Sequence, residues 1–206
     1  MTGIFGSSGS SPEWIPAYAE PQGRINIITP VFVVFSDVNK DAGYVPFLET
    51  AYRSGIIAGF HDGTYKPELK MTHAQIMVMA ANLHSMQKGD NFKGRTVEGD
   101  HWCASFRDYL KAEGVIDDRF DDKYDETVKR DEMAYYFANI LTAESYKDKQ
   151  EIAFSDVEGN AYEEAIMKLA KADIVGGVGG GKYAPGNEVT REQAAYFICN
   201  IINAMK

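Results

Sequence analysis

The sequence predicts a mainly α fold, built from three tandem helix-loop-helix repeats that share a central helical bundle. Three observations predict it. A block of about forty residues near the start of the body returns near the end. A degenerate copy lies between the two. Each copy carries two apolar stripes at helical spacing, and two helices and a loop bury little core alone.

Residues 1–30 read as an N-terminal arm or linker. Gly6 to Ser11 is GSSGSS, a flexible run, and prolines at 12, 16, 21 and 30 break the rest of the segment. Trp14, Ile15 and Tyr18 are the residues expected to pack this arm on the body. No basic region followed by an apolar core marks a signal peptide, so the chain is read as beginning at an internal boundary.

The first repeat spans 31–87, the second, degenerate one 88–148, and the third 149–206. Phe35-Ser36-Asp37-Val38 returns as Phe154-Ser155-Asp156-Val157. Ile56-Ile57-x-Gly59 returns as Ile174-Val175-x-Gly177, Tyr65-x-Pro67 as Tyr183-x-Pro185, and Thr72-x-x-Gln75 as Thr190-x-x-Gln193. In the middle copy Trp102 stands for Tyr44 and Tyr162, Gly114-Val115-Ile116 for Gly55-Ile56-Ile57, and Tyr124 for Tyr65. The first helix of each repeat is expected over 44–54, 102–113 and 161–172. There Phe47 and Ala51 recur as Phe106 and Leu110, then as Ala165 and Leu169, one turn apart on one face. The second helix is expected over 72–85, 130–143 and 190–205. Its stripes are Ile76, Met79, Ala80 and Leu83; Met133, Tyr136, Phe137 and Ile140; and Ala194, Phe197, Ile198 and Ile201.

Composition narrows the partners. The 206 residues carry 21 Lys plus Arg against 30 Asp plus Glu, a net charge of -9. That excludes a broad basic surface for nucleic acid, and no stretch is long and apolar enough to insert in a membrane. Cys103 and Cys199 are too few for a disulfide scaffold. They pair only if the fold brings them together, and two buried thiols is the plainer reading. His61, His73, His84 and His101 form no metal motif, so neither metal nor other cofactor is expected.

The candidate chemistry lies at the second-helix starts. Thr72 with Gln75 and Thr190 with Gln193 are capping-box pairs. Arg191 follows the cap, where the helix dipole disfavours a cation unless an anion docks there or a neighbouring repeat's acid pairs with it. Arg130 and His73 hold the matching positions. The run Gly176 to Tyr183 lacks the Ser or Thr of a phosphate loop after Lys182. Asp37 to Asp41 lacks the sixth-position glycine and twelfth-position glutamate of a calcium loop. Asp37 and Asp156 read instead as turn or cap acceptors. No nucleophile, base and orienter stand in any recognisable pattern, so a binding module, not an enzyme, is expected.

In these residues the chain resembles the S-layer homology domain family. The pattern appears as Phe35-Ser-Asp-Val38, Tyr44, Gly55-Ile-Ile-Ala-Gly59, Asp62-Gly-Thr-Tyr-Lys-Pro67 and Thr72-His-Ala-Gln75, and again as Phe154-Ser-Asp-Val157 through Thr190-Arg-Glu-Gln193. The resemblance implies a pseudo-threefold, three-pronged spindle around the central bundle. It implies non-covalent anchoring of a bacterial surface protein, outside the cell at the wall or S-layer, to a secondary cell-wall polysaccharide bearing pyruvylated amino sugars. It nominates Arg191 and Arg130 for the pyruvyl carboxylate, with His73 in the third equivalent place. Gly59 and Gly177 would give close backbone approach, and Lys66 and Lys182 would flank the ligand. A monomeric module is expected. The departures are His73 for arginine, Asp117-Asp118 for the small pair Ala58-Gly59, and Glu126 for Pro67. They lead to the expectation that Arg130 pairs with the two acids and that fewer than three grooves work. The alternative is a structural or protein-interaction module on the cell surface with degenerate glycan grooves.

Overall fold

The computed structural model describes residues 30–146 and 150–206. The expected N-terminal arm, with its GSSGSS run and Trp14, Ile15 and Tyr18, lies outside them apart from Pro30. Seven α-helices are present among the described residues: α1 (Val31–Val34), α2 (Val45–Arg53), α3 (His73–Lys88), α4 (Ala104–Ala112), α5 (Arg130–Phe137), α6 (Glu163–Lys171) and α7 (Arg191–Ala204). Short 3-10 turns stand at Asp118–Phe120 and Ala143–Tyr146. Extended pairing is confined to isolated bridges, with no β-sheet among the described residues.

The two helix classes have different jobs. α2, α4 and α6 are short and bury one face: Leu48 and Ala51, Phe106 and Leu110, Ile166 and Leu169. α3 is buried on every side from Ala74 to Ala81 and touches both α5 and α7. A helix apolar all round belongs at the centre of a core. Thr72 and Thr190 cap α3 and α7 as the sequence predicts, each accepting from the glutamine N–H three residues on, while that glutamine returns to the cap N–H. At α5 the residue before the helix is Lys129, which cannot accept. Asp131 takes over the acceptor's part through the Glu132 N–H, at 2.8 Å, and Glu132 reaches back to the Lys129 N–H, also at 2.8 Å.

Packing closes on itself. α3 lies against α4, α5 against α6, and α7 against α2. The segments before the three long helices close a second cycle. Met71 N–H donates to Val189 C=O at 2.9 Å, Val189 N–H to Val128 C=O at 3.1 Å, and Val128 N–H to Met71 C=O at 2.9 Å. All three residues are fully buried. Three backbone groups that would be unpaired in an isolated helix pair are satisfied by this ring.

α5 is the exception to the expected spans. It stops at Phe137 instead of continuing to 143. The Tyr146 hydroxyl donates to Phe137 C=O at 2.6 Å and accepts from the Leu141 N–H at 3.0 Å, and Lys168 Nζ donates to Ala138 C=O at 2.6 Å. These partners take the carbonyls that a further helical turn would have used.

Candidate functional site at the helix junctions

The starts of α3, α5 and α7 are built alike, each against the loop that leads into the next long helix around the ring. The first two N–H groups of each helix are filled by backbone carbonyls. His73 and Ala74 donate to Glu126 and Tyr124, Arg130 and Asp131 to Asn187 and Pro185, and Arg191 and Glu192 to Leu69 and Pro67. The third N–H has a side-chain acceptor, Thr72 in α3, Asp131 in α5 and Thr190 in α7. The helix ends therefore offer no row of free amides, the feature that makes such an end an anion site.

The arginines act through their side chains. Arg191 is 1% exposed. Its Nε donates to Tyr65 C=O and its Nη2 to Ala58 C=O, both at 2.7 Å, and its guanidinium lies over the Tyr65 and Phe60 rings at 4.5 and 4.9 Å. The Tyr65 hydroxyl returns a 2.7 Å bond to the Arg191 carbonyl. Arg130 repeats the clamp: Nε to Tyr183 C=O and Nη2 to Gly176 C=O, both at 3.0 Å, with the Tyr183 hydroxyl bonded to the Arg130 carbonyl at 3.0 Å. Burial pushes the Tyr65 and Tyr183 hydroxyls up and the Arg191 guanidinium down. One atom is left over: Arg191 Nη1 is buried without a hydrogen-bond partner.

His73 completes the set with different chemistry. It is 1% exposed, with Nδ1 3.0 Å from the Tyr136 hydroxyl, Nε2 3.5 Å from Glu132 and its ring 4.6 Å from Phe120. Burial would raise the Glu132 carboxyl, but His73 and the Lys129 N–H outweigh it and hold it below the usual range.

The loops under these junctions are fixed by two aspartates. Asp37 accepts from the Tyr65 and Lys66 N–H groups at 2.7 and 2.8 Å, and Asp156 from those of Tyr183 and Ala184 at 2.8 and 2.9 Å. Lys66 and Ala184 sit at φ of 55° and 59°, in the left-handed region, and the paired carboxylate oxygens hold that turn. Both aspartates serve as the turn acceptors that the sequence suggests. Gly59 and Gly177 stand at close contacts. A Cβ on Gly59 would meet Phe35 at 2.2 Å and Thr64 C=O at 2.9 Å, and one on Gly177 would meet Lys182 C=O at 2.5 Å. Lys66 lies 4.1 Å over the Phe60 ring, on which Arg191 also stacks. Lys182 is exposed in the hairpin closed by the Val178 N–H on Lys182 C=O.

One expectation changes here. Arg130 does not pair with Asp117 and Asp118. Asp117 holds Arg119 at 2.7 Å and Asp118 holds Lys111 at 2.6 Å, because Arg130 points across the ring to the 176–183 loop. A cysteine, histidine and aspartate also meet in a way the sequence did not suggest. His101 Nδ1 is 3.1 Å from Cys103 Sγ and its Nε2 3.4 Å from Asp125. Burial pushes the Cys103 thiol up to about 12, which favours its protonated form. Cys103 and Cys199 are both free and buried. Among the described residues no group of three or more His, Cys, Asp or Glu is placed to hold a metal, and no helix is long and apolar enough to cross a membrane.

Sequence reasoning also missed a cleft of about 260 Å³ between α5 and α6. Its signal was present: Ala165 stands where the other first helices carry Phe47 and Phe106.

Comparison with known proteins agrees with the repeat pattern. The S-layer homology domain model matches residues 34–77 and 153–195. The chain is 24% identical over 180 residues to an endoglucanase of Bacillus sp. (strain KSM-635), covering 82% of this chain and 18% of the relative. It is 23% identical over 157 residues to cell surface glycoprotein 1 of Acetivibrio thermocellus, covering 69% of this chain and 7% of the relative. The chain thus spans less than a fifth of either relative. The domain matches support a general role in cell-wall carbohydrate binding and anchoring, and place the chain outside the cell, at the wall or S-layer.

Proposed function

We propose that this chain, with S-layer homology sequence over 34–77 and 153–195, is a three-repeat module that anchors a larger surface protein to a pyruvylated secondary cell-wall polysaccharide. The repeats are 31–87, 88–148 and 149–206. The closed cycles of helix pairing and backbone hydrogen bonds support a three-pronged spindle with pseudo-threefold symmetry.

The observation that carries the ligand reading is Arg191 Nη1, buried and without an acceptor. A buried cationic N–H left unpaired is costly, and a carboxylate is the partner that suits it. Two carbonyls fix the guanidinium through Nε and Nη2, and the third nitrogen is held in place with no acceptor. Lys66 lies over the same Phe60 ring that Arg191 contacts, with Asp62 paired to its ammonium at 3.4 Å. Arg130, His73, Gly59, Gly177 and Lys182 belong to the proposed set as shapers of the equivalent junctions. Glu192 and Glu68 lie close by, and burial, with the Glu68 charge adding to it, raises the Glu192 carboxyl. A monoanionic group fits this setting better than a dense polyanion.

The test is capture of the protein on isolated bacterial walls before and after removal of the pyruvyl ketals. Binding should fall at least about tenfold on stripped walls, the loss of roughly one charged hydrogen bond. Equal capture on both would sink this form of the proposal.

A second reading has its own observation. His73 and Arg130 are consumed by contacts between the helix pairs, so those junctions are built first to hold the fold. A protein-interaction module with degenerate grooves would bind a purified surface protein and ignore both wall preparations.

A further inference from the structure

The chain that leaves α3 crosses the face of α4 before that helix begins. Residues 90–96 run there without helix or strand, pinned at both ends. The Phe92 N–H donates to the Ser85 hydroxyl at 2.8 Å, and the Arg95 N–H donates to the Ser105 hydroxyl at 2.9 Å. Between these pins Phe92 stacks on the Tyr109 ring at 4.1 Å and meets Phe106 edge-on at 5.6 Å. Gly94 rests on the same Phe106 ring, into which a Cβ would run. Lys93 and Arg95 are exposed. The segment thus alternates as an extended chain does, with Phe92 and Gly94 inward and Lys93 and Arg95 outward.

One carboxylate gathers the anchoring contacts. Asp90 Oδ1 accepts from the Ser85 hydroxyl at 2.6 Å and from the Phe92 N–H at 3.1 Å, and Oδ2 accepts from the Tyr109 hydroxyl at 2.8 Å. Asp90 therefore ties α3, α4 and the crossing segment together. The titratable groups around it are His84 and Lys88 of α3 and Tyr109 and Glu113 of α4. His84 Nδ1 lies 3.0 Å from the Tyr109 hydroxyl, and Lys88 Nζ lies 3.8 Å from Asp90 and 2.7 Å from Glu113. The Ser85 hydroxyl above all, then Tyr109 and the Phe92 N–H, hold the Asp90 carboxyl below its usual range against burial, and burial holds the His84 imidazole below its own.

Among the described residues, the matching place in the next helix pair carries no such segment. Ala165 and Lys168 of α6 stand where α4 has Phe106 and Tyr109, and the surface there is the open cleft of about 260 Å³. Gln150, ahead of the third repeat, keeps to the end of α6, where its N–H donates to Lys171 C=O and its side-chain amide to Ala170 C=O. The contacts of residues 90–96 also share no residue with the backbone ring of Met71, Val128 and Val189 or with the clamps of Arg130 and Arg191.

We propose that residues 90–96 form a latched strap, with Asp90 as the latch, which lifts from α4 as a unit while the ring of helices stays closed. Lifting it bares the Phe106 and Tyr109 rings, so the module holds one standing cleft and one covered apolar face. The depressed Asp90 value sets the sign with pH. The strap's hold is complete above the unfolded value of about 3.9 and weakens as pH falls through the lower folded value.

The experiment uses the full chain at pH 7. Limited trypsin digestion, read by mass spectrometry, reports cuts after Lys93 and Arg95, and native-state hydrogen exchange reports the Phe92 and Arg95 amides. Cutting needs the strap free of its pins, so its rate follows the open fraction. Asp90→Ala removes an ionised acceptor of three hydrogen bonds, and Gly94→Ala crowds the seat on Phe106. Each should speed cutting after Lys93 and Arg95 about tenfold or more, while the thermal melt shows a folded protein. In the wild type the two strap amides should exchange through a smaller opening than the amides of Met71, Val128 and Val189, and both variants should keep that gap. The proposal is overturned if the strap amides exchange only together with those of the ring, or if either variant leaves the cutting rate unchanged. It is equally overturned if cuts appear as fast after Arg130 and Arg191, which only global unfolding frees.

Discussion

Asp156 shows at a single residue how a repeat's motif turns into structure. Its two carboxylate oxygens accept the Tyr183 and Ala184 N–H groups, and these bonds, with that of Tyr183 the larger, hold its carboxyl below the usual range. A depressed folded value means the ionised form is favoured by folding. The stabilisation is therefore complete above the unfolded value of about 3.9 and is lost as pH falls through the lower folded value. Acid unfolding of the wild type should steepen below about pH 4, and Asp156→Asn should flatten that limb while lowering stability at neutral pH. Melts across the pH range check both; an unchanged acid limb would remove Asp156 from the account. The conformation it secures, Ala184 at φ 59°, is visible in sequence only as a small residue after a tyrosine. The acceptor role of Asp37 and Asp156 was legible because a short carboxylate before a turn has few other uses. The N–H groups that they hold lie 27 to 29 positions away, and no local pattern names them.

At the scale of helices, the sequence was readable where local terms decide and opaque where a distant group does. α3 and α7 begin at the residues that follow Thr72 and Thr190 because the capping box is entirely local. α2, α4 and α6 follow from one-turn apolar spacing. The end of α5 does not, since its stripe continues through Ile140. The helix stops because Tyr146 and Lys168 claim the carbonyls of Phe137 and Ala138. Burial pushes the Tyr146 hydroxyl up to about 12, as suits a group that serves only as a neutral donor and acceptor. Tyr146→Phe would leave Phe137 C=O and the Leu141 N–H without this partner in a buried place. The expected loss is about 1–3 kcal/mol, read from urea melts. A loss within error would mean that the chain reroutes those two bonds to other groups.

Across the whole molecule, the same non-local logic explains why the helix-start argument needed the fold. Read one repeat at a time, the N–H groups ahead of Arg191 look vacant. In the ring, the N–H groups of Arg191 and Glu192 are taken by the neighbouring loop and that of Gln193 by Thr190, and the arginine becomes a clamp with one nitrogen to spare. The ring also makes a claim about cooperativity. Met71, Val128 and Val189 each donate to one of the other two, and α3, α5 and α7 each pack on the first helix of another pair. Opening any one pair breaks two of the three ring bonds and exposes two packed faces, so no pair has a cheap way to leave. The amides of these three residues should therefore exchange with solvent only through global unfolding, with one shared protection free energy equal to that from denaturant melts. Native-state hydrogen exchange measures this directly. The middle pair is the place where the rule is most exposed to failure. Its junction with α3 uses His73, Tyr136 and Glu132 in place of the arginine–tyrosine clamp, and α5 is the shortest of the three central helices. If Val128 alone exchanges through a smaller opening, the ring is a contact between separately stable parts; if all three agree, the closed cycle is the unit that folds.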